Sequence, residues 1–476
     1  MGRTGGFLEF DRKDPGYRPK ADRIKDFHAV EKSFSPVELH EQAARCMHCG
    51  IPFCHGTGCP LGNMIPEFND LAYRGKWREA LDILLSTSSF PEFTSRVCPA
   101  LCEASCVLEL SNGQPVAIRQ IEKAIIEKGF ERGYIQPNPP QERTGWSIAV
   151  SGSGPAGLAV ADTLNKMGHT VTVFDEAQKP GGILRYGIPD FKLEKWVVDR
   201  RIKLMEAEGV LFEMGVTVGV DISHHYLEGR FGAICLTGGA RTPRSLNIPG
   251  NGLNGVHFAM DYLICQNQLL CGETVPPEKN ISAEGKSVVV IGGGDTGSDC
   301  VGTANRQGAT SVTQLEIMPK PPEERTESMP WPEWPLKLKT TSSHEEGAWR
   351  LWQVSATEFG GDEVGNLASV HCVEIDASFD GGRPNFIPKK GTEFEMEAQL
   401  VLLAMGFVGP TANPMFDDLE IAWTPTGGID TDDRHMTSAS GVFSAGDMAS
   451  GQSLVVHVMA DARRAAFDID AWLKRD

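Results

Sequence analysis

Between Cys46 and Cys106 the chain reads Cys46-x2-Cys49-x4-Cys54-x4-Cys59-Pro60 and then Cys98-x3-Cys102-x3-Cys106, so seven of its twelve cysteines fall in one short stretch. No hydrophobic core needs sulfur at that density. Thiolates two to four residues apart converge on one inorganic core, and a proline directly after the fourth cysteine of a run marks ligands that divide between two clusters. A zinc ribbon sets its cysteine pairs roughly 12 to 20 residues apart, which four cysteines in close succession do not do. A disulfide framework belongs to oxidising compartments, whereas the chain opens Met1-Gly2-Arg3-Thr4 with no apolar signal segment. Gly6 stands where a myristoylation signal has Ser or Thr. The stretch therefore reads as holding two iron-sulfur clusters, one cysteine ligand short.

Residues 1–45 are polar and broken by Pro15, Pro19 and Pro36. That predicts an extended arm, stable only when packed on something, and then a short helix over 36–45 that delivers Cys46. Helical periodicity runs over 65–85, with Trp77 and Leu81 on one face, and again over 116–128, so the domain over 1–145 is expected to be all helical. On the second of these segments Ile118, Ile121, Ile125 and Ile126 make an apolar stripe with Glu122 in its middle and Gln120 on the opposite face. A carboxylate in a core-facing stripe requires a partner. Two readings are open for Glu122, a salt bridge to Arg96 or Arg119 and the missing eighth cluster ligand.

After a proline-rich linker over 134–146 the pattern changes. An apolar strand over 146–150 leads into Gly152-Ser-Gly154-Pro155-Ala156-Gly157, a helix over 158–167 and a strand over 170–174 that ends in Asp175, 18 residues past the last glycine. This is a complete dinucleotide fingerprint: the glycines allow a tight turn and close approach of a pyrophosphate to the helix N-terminus, and the acid meets ribose hydroxyls. It repeats. A strand over 287–291, Gly292-Gly293-Gly294-Asp295-Thr296-Gly297, a helix to about residue 307 and a strand over 311–315 end in Glu316, 19 residues past Gly297. Two nucleotide sites imply a tightly held FAD and a diffusible NADH or NADPH. A terminal strand delivering Gly446-Asp447, then Ser453 and a last helix, is expected to return to the first nucleotide domain. The fold class is thus α/β, with two Rossmann-like domains after the helical one. FAD binding is assigned to 146–284 and 405–476, and NAD(P)H binding to an inserted 285–404.

The net charge of -18 disfavours a nucleic-acid surface, and no apolar run approaches 18 residues, so no membrane span and a cytoplasmic protein are expected. The loop over 319–335, with Pro330-Trp-Pro-Glu-Trp-Pro335 at its centre, is expected to pack onto its own domain rather than on a nicotinamide or a partner. His344-Glu345-Glu346 suggests no chemistry. Cys235, Cys265, Cys271, Cys300 and Cys372 read as core residues.

The order of these features, with Gly181-Gly-Ile-Leu-Arg-Tyr-Gly-Ile-Pro-Asp-Phe-Lys192, Arg45-Cys-Met-His-Cys-Gly-Ile-Pro-Phe-Cys54 and Ala445-Gly446-Asp447, resembles the small (beta) subunit of glutamate synthase over essentially the whole chain. The architecture is shared with the N-terminal part of dihydropyrimidine dehydrogenase. The resemblance implies that Cys46, Cys49, Cys54 and Cys106 bind one 4Fe-4S cluster and that Cys59, Cys98 and Cys102 bind the other. It favours Glu122 as the remaining ligand, because the related dehydrogenase uses an amide side chain there. It also places Gly182, Ile183 and Lys192 near the flavin, and Ala404 and Gly406 near the nicotinamide.

Relatives that prefer the phosphorylated nucleotide carry arginines where this chain has Leu315-Glu316-Ile317. A carboxylate there suits a free ribose diol and repels a phosphate, so NADH is expected, with Arg306 and Lys320 the residues that argue the other way. The function implied is electron input: hydride from NAD(P)H to FAD, then single electrons through the clusters to a large (alpha) subunit that makes L-glutamate from L-glutamine and 2-oxoglutarate. No acid-base residue is needed. The alternative is a diaphorase feeding ferredoxin or a pyrimidine-reducing subunit.

Overall fold

The structure, a computed structural model, describes residues 2–380 and 383–475. Its N-terminal part is helical. Ser35 accepts from the Glu38 amide while Glu38 Oε2 accepts from the Ser35 amide, a capping box that starts the helix Pro36–Ala44 with proline at its first position. The helix buries Leu39, Gln42, Ala43 and Ala44 and hands over to Arg45 and Cys46. The periodic segment over 65–85 is two helices, Ile65–Tyr73 and Trp77–Thr87, because Gly75 adopts a left-handed φ of 72° between them. Helix Pro91–Val97 ends at Cys98, and Ile118–Glu131 runs through the middle of the domain.

Helix Ile118–Glu131 buries its stripe fully, but Gln120 on its other side is also buried, at 5% exposure. The N-terminal arm covers that side: Arg119 pairs with Glu31, and Lys123 reaches the same carboxylate. The arm then crosses to the inserted domain. Arg23 pairs with Glu346, both almost wholly buried, and the Arg306 guanidinium donates to the Asp26 carbonyl at 3.0 Å. The polar arm is held by ion pairs that span domains, together with the buried Val30 and with Phe7 and Phe34 packed on the helical domain's core.

The first nucleotide domain is an all-parallel five-stranded sheet in the order Val442–Ser444, Ala233–Leu236, Ser147–Ser151, Thr170–Asp175, Leu211–Met214. Its terminal strand, Val442–Ser444, pairs with Ala233–Leu236, so the chain runs back into this sheet near its end. Helix Val455–Leu473 then packs against Pro155–Lys166. The second sheet is again parallel, ordered Val256–Phe258, Leu400–Leu403, Ser287–Ile291, Ser311–Glu316, Trp349–Trp352. Because Val256–Phe258 pairs with Leu400–Leu403, and helix Ala259–Leu270 follows it, the inserted unit begins before residue 285, where the second fingerprint had placed it. A three-residue edge strand carries too little pattern to be read alone. An antiparallel sheet of Val354–Gly361, Leu367–Asp380, Arg383–Pro388 and Phe394–Glu397 completes the insertion.

Candidate functional site

Four of the seven clustered cysteines, Cys46, Cys49, Cys54 and Cys106, line one small cavity whose walls include Phe53 and Ile65. Burial is the main force pushing the Cys46 thiol up to about 11, and nearby Cys106 and Cys49 add to it. Cys59, Cys98 and Cys102 form a second group. Burial pushes Cys59 to about 11 and Cys98 to about 12, with the Glu122 carboxylate adding to both. Among the described residues no three cysteine sulfurs lie within 4.8 Å of one another. Thiols raised this far ionise only against metal, and the donor sets fit two iron-sulfur clusters.

Glu122 is 7% exposed and sits beside the second group. Neither arginine weighed as its salt-bridge partner takes that role. Arg119 pairs with Glu31 and donates to the Ser95 carbonyl at 2.9 Å, and Arg96 pairs with Glu127 and donates to the Glu92 carbonyl at 2.9 Å. Glu122 Oε1 instead accepts from the hydroxyl of Thr94. Burial, without a paired cation, raises its carboxyl to about 7.

The two glycine turns share one cavity of about 1360 Å³, beyond the roughly 300–1,000 Å³ of a single small-molecule site. Gly152 and Gly292 each hold a positive φ, 108° and 125°, where a side chain would strike Thr237 or Ala404. The acids behave alike. Asp175 Oδ2 accepts from the Ser153 amide at 2.7 Å, and Glu316 Oε2 accepts from the Gly293 amide at 2.7 Å, so each strand-end carboxylate is fixed beside its own turn. Gly154, Pro155, Ala156, Gly182, Ile183, Asp447 and Ser453 line the cavity at the first turn; Gly294, Asp295, Thr296, Ala404 and Gly406 line it at the second. Gly157 and Gly297 stand just behind, where their missing side chains let backbone approach closely, and Gly446 faces the side chains of Ala156 and Val458. Burial raises the Asp447 carboxyl to about 6 against the hydroxyl of Ser453, which donates to it at 2.9 Å. These residues fit two dinucleotides end to end.

Several expected residues sit elsewhere. Lys192 does not line the cavity; it pairs with Asp299, on helix Asp295–Gln307 of the inserted domain, and so ties the two nucleotide domains together. Arg306 is buried against Glu346 and is not available to a nucleotide phosphate. The proline-tryptophan loop does not pack on its own domain. Trp331 stacks on Phe53 with ring centroids 4.6 Å apart, and Ser105 donates to the Pro332 carbonyl at 2.8 Å. The loop that begins beside Glu316 therefore covers the cysteine domain next to Cys54 and Cys106. Cys235, Cys265, Cys300 and Cys372 are buried as expected, and Cys271 is half-buried.

Residues 23–134 match the family model described as dihydropyrimidine dehydrogenase domain II, 4Fe-4S cluster, and residues 146–462 match that of pyridine nucleotide-disulphide oxidoreductases. The chain is 50% identical to the glutamate synthase [NADPH] small chain of Mycobacterium tuberculosis, over 99% of its own length and 96% of that protein. It belongs to the glutamate synthase small-chain family. The small chain of Bacillus subtilis is 43% identical over 99% of both chains, and glutamate synthase [NADH] of Schizosaccharomyces pombe is 42% identical over 98% of this chain and 22% of that protein. Among solved structures, Mycobacterium tuberculosis FprA in complex with NADPH is similar in fold, with a TM-score of 0.56 at 19% identity, over 69% of this chain and 84% of FprA.

In this small-chain fold one feature had no sequence reading. His344 Nδ1 accepts from the Thr341 amide at 3.1 Å, its Nε2–H donates to Gln314 Oε1 at 2.8 Å, and the Gln314 amide donates to the Gly292 carbonyl at 2.8 Å. A neutral imidazole thus braces the second glycine turn. Its only signal was Thr341-x-x-His344, a capping spacing with histidine in place of Glu or Gln.

Proposed function

We propose that this NAD(P)H-dependent oxidoreductase is the electron-input subunit of a glutamate synthase, serving a separate large subunit that forms L-glutamate from L-glutamine and 2-oxoglutarate. The observation that carries the reading is the single cavity that joins both glycine turns. A flavin bound here would supply the hydride acceptor for the nicotinamide and the means to pass electrons singly to the clusters. The chain's own part is placement. The helix Pro155–Lys166 offers its N-terminal amides to a pyrophosphate, Asp175 a ribose, and Asp447 the ribityl chain. Gly292–Gly297 and Glu316 would hold the second dinucleotide, with Ala404 and Gly406 lining the cavity beside that turn. Lys192–Asp299 keeps the two domains in register, so the rings meet without an acid-base residue.

Cys46, Cys49, Cys54 and Cys106 would hold one cluster; Cys59, Cys98, Cys102 and Glu122 the other. Leu61 and Val97, beside Cys59 and Cys98, pack against the core of the first nucleotide domain, whereas Ile51, between Cys49 and Cys54, is 78% exposed. This favours the second site as the entry from flavin and the first as the exit to the partner.

Glu316 supports a preference for NADH. Backbone amides fix both its oxygens, at Gly293 and at Met318, so the charge cannot turn away from a 2′-phosphate. Relatives named for either nucleotide are among the matches. Co-purification with a large subunit, with NADH and NADPH oxidation assayed against glutamate formation, tests the whole reading. Reduction of ferredoxin or a pyrimidine without glutamate formation would overturn it. Glu316→Ala should raise kcat/KM for NADPH relative to NADH about tenfold, ~1.4 kcal/mol, and an unchanged ratio refutes the role given to that residue.

A further inference from the structure

We propose that Thr94 is the positioning residue that orients Glu122 onto the second iron-sulfur site. The inference rests on Glu122 being that site's fourth ligand. A carboxylate has two equivalent oxygens and turns freely about its last bond, so a carboxylate ligand needs something to choose which oxygen meets the metal. Thr94, 3% exposed, donates its hydroxyl to Glu122 Oε1, which leaves the other oxygen for iron.

A threonine inside a helix usually bonds back to a carbonyl on the preceding turn. Here the contact with the Pro91 carbonyl is long, at 3.4 Å, and the hydroxyl's single proton is committed to the shorter, charge-assisted bond with Glu122. Thr94 also sets a second ligand. The Cys98 amide donates to the Thr94 carbonyl at 2.9 Å, closing the helix Pro91–Val97 where Cys98 leaves it. One residue thus holds a carboxylate through its side chain and a thiolate through its backbone. The choice of a hydroxyl matters as well. Arg119 and Arg96 each pair with another acid, so neither bonds directly to Glu122, and Thr94 is the side chain that holds its Oε1. Glu92 and Glu103, the neighbouring acids, are paired with Arg201 and Arg12.

The test uses the full chain with its clusters and three variants: Thr94→Val, Thr94→Ser and Glu122→Ala. Iron and sulfide content, paramagnetic resonance of the reduced protein and iron loss to a chelator are measured for each. Thr94→Val should alter or abolish one cluster's signal, leave the other unchanged, and weaken retention of that iron 10–100-fold, as loss of a ligand's orienting partner does. Thr94→Ser should keep the parent spectrum. A parent spectrum and parent chelator resistance in Thr94→Val overturns the proposal, and so does equal loss of both clusters, which marks a packing role. If Glu122→Ala leaves both clusters intact, the ligand reading fails and the proposal with it. If Glu122→Ala removes the second cluster while Thr94→Val changes nothing, the positioning role alone fails.

Discussion

The brace at the second glycine turn makes a prediction about acid. Burial is the main cause that lowers the His344 imidazole from 6.5 to about 4, assisted by Arg350, Lys192 and Lys339 and opposed by Asp295. Its Nδ1 must stay unprotonated to accept from Thr341. In the unfolded chain the ring takes up a proton near pH 6.5, whereas in the folded chain it resists until about pH 4. Between those values the unfolded state binds more protons, so this residue's contribution is present above the window and is lost as pH falls through it. With about 1.4 kcal/mol per unit of separation, the loss is ~2 kcal/mol by pH 5 and ~3 kcal/mol by pH 4. His344→Gln supplies a side chain that caps the same helix without titrating. Urea unfolding of parent and variant at pH 7 and pH 5 isolates the effect, since every other titrating group is common to both. The parent should lose ~2 kcal/mol more than the variant on acidification. Parallel losses in the two proteins would refute a buried neutral histidine.

Three further outcomes follow from the contacts. Arg201 grips Glu92 through Nε at 2.6 Å and Nη2 at 3.1 Å, both side chains buried at the boundary of the cysteine and flavin domains. Arg201→Met should therefore cost about 3–5 kcal/mol, and Arg201→Met with Glu92→Leu should cost much less, by the unfolding midpoint; additive losses would contradict a coupled pair. Trp331→Ala should expose the loop over 319–335 to limited proteolysis while flavin reduction by NAD(P)H keeps its rate, and unchanged proteolysis would show that the Phe53 contact does not hold the loop. Cys54→Ser and Cys98→Ser should each remove a different cluster signal by paramagnetic resonance, and loss of the same signal in both would break the assigned grouping.

The parts that could be read in the chain are those where local chemistry and global position coincide. At Gly152 and Gly292 the turn, the helix start and the strand-end acid are a single local device, and the observed strands Ser147–Ser151 and Ser287–Ile291 lie where their apolar runs indicate. Glu122 was legible for a different reason: a charge in a helical stripe conflicts with its surroundings, and such conflicts mark function. What escaped was long-range. Thr94 is an ordinary helical threonine until Glu122 arrives from 28 residues away. Lys192 sits in the segment that meets the flavin domain, yet its partner, Asp299, lies on the inserted helix. The proline-tryptophan loop is apolar enough to need cover, but only the fold shows that the cover is the cysteine domain.

A buried cation stands beside the first cysteine group. Arg45 is wholly buried, and its guanidinium is held by carbonyls alone, those of Phe10 at 2.9 Å, Pro115 at 2.8 Å and Gln114 at 2.6 Å. Cys106 of the first group lies within its field. A buried cation without a carboxylate partner is costly unless something anionic stands near it, and a cluster bound by four thiolates is anionic. Added positive charge favours the reduced form of a cluster, so a cluster held at the first site would be raised in potential by Arg45.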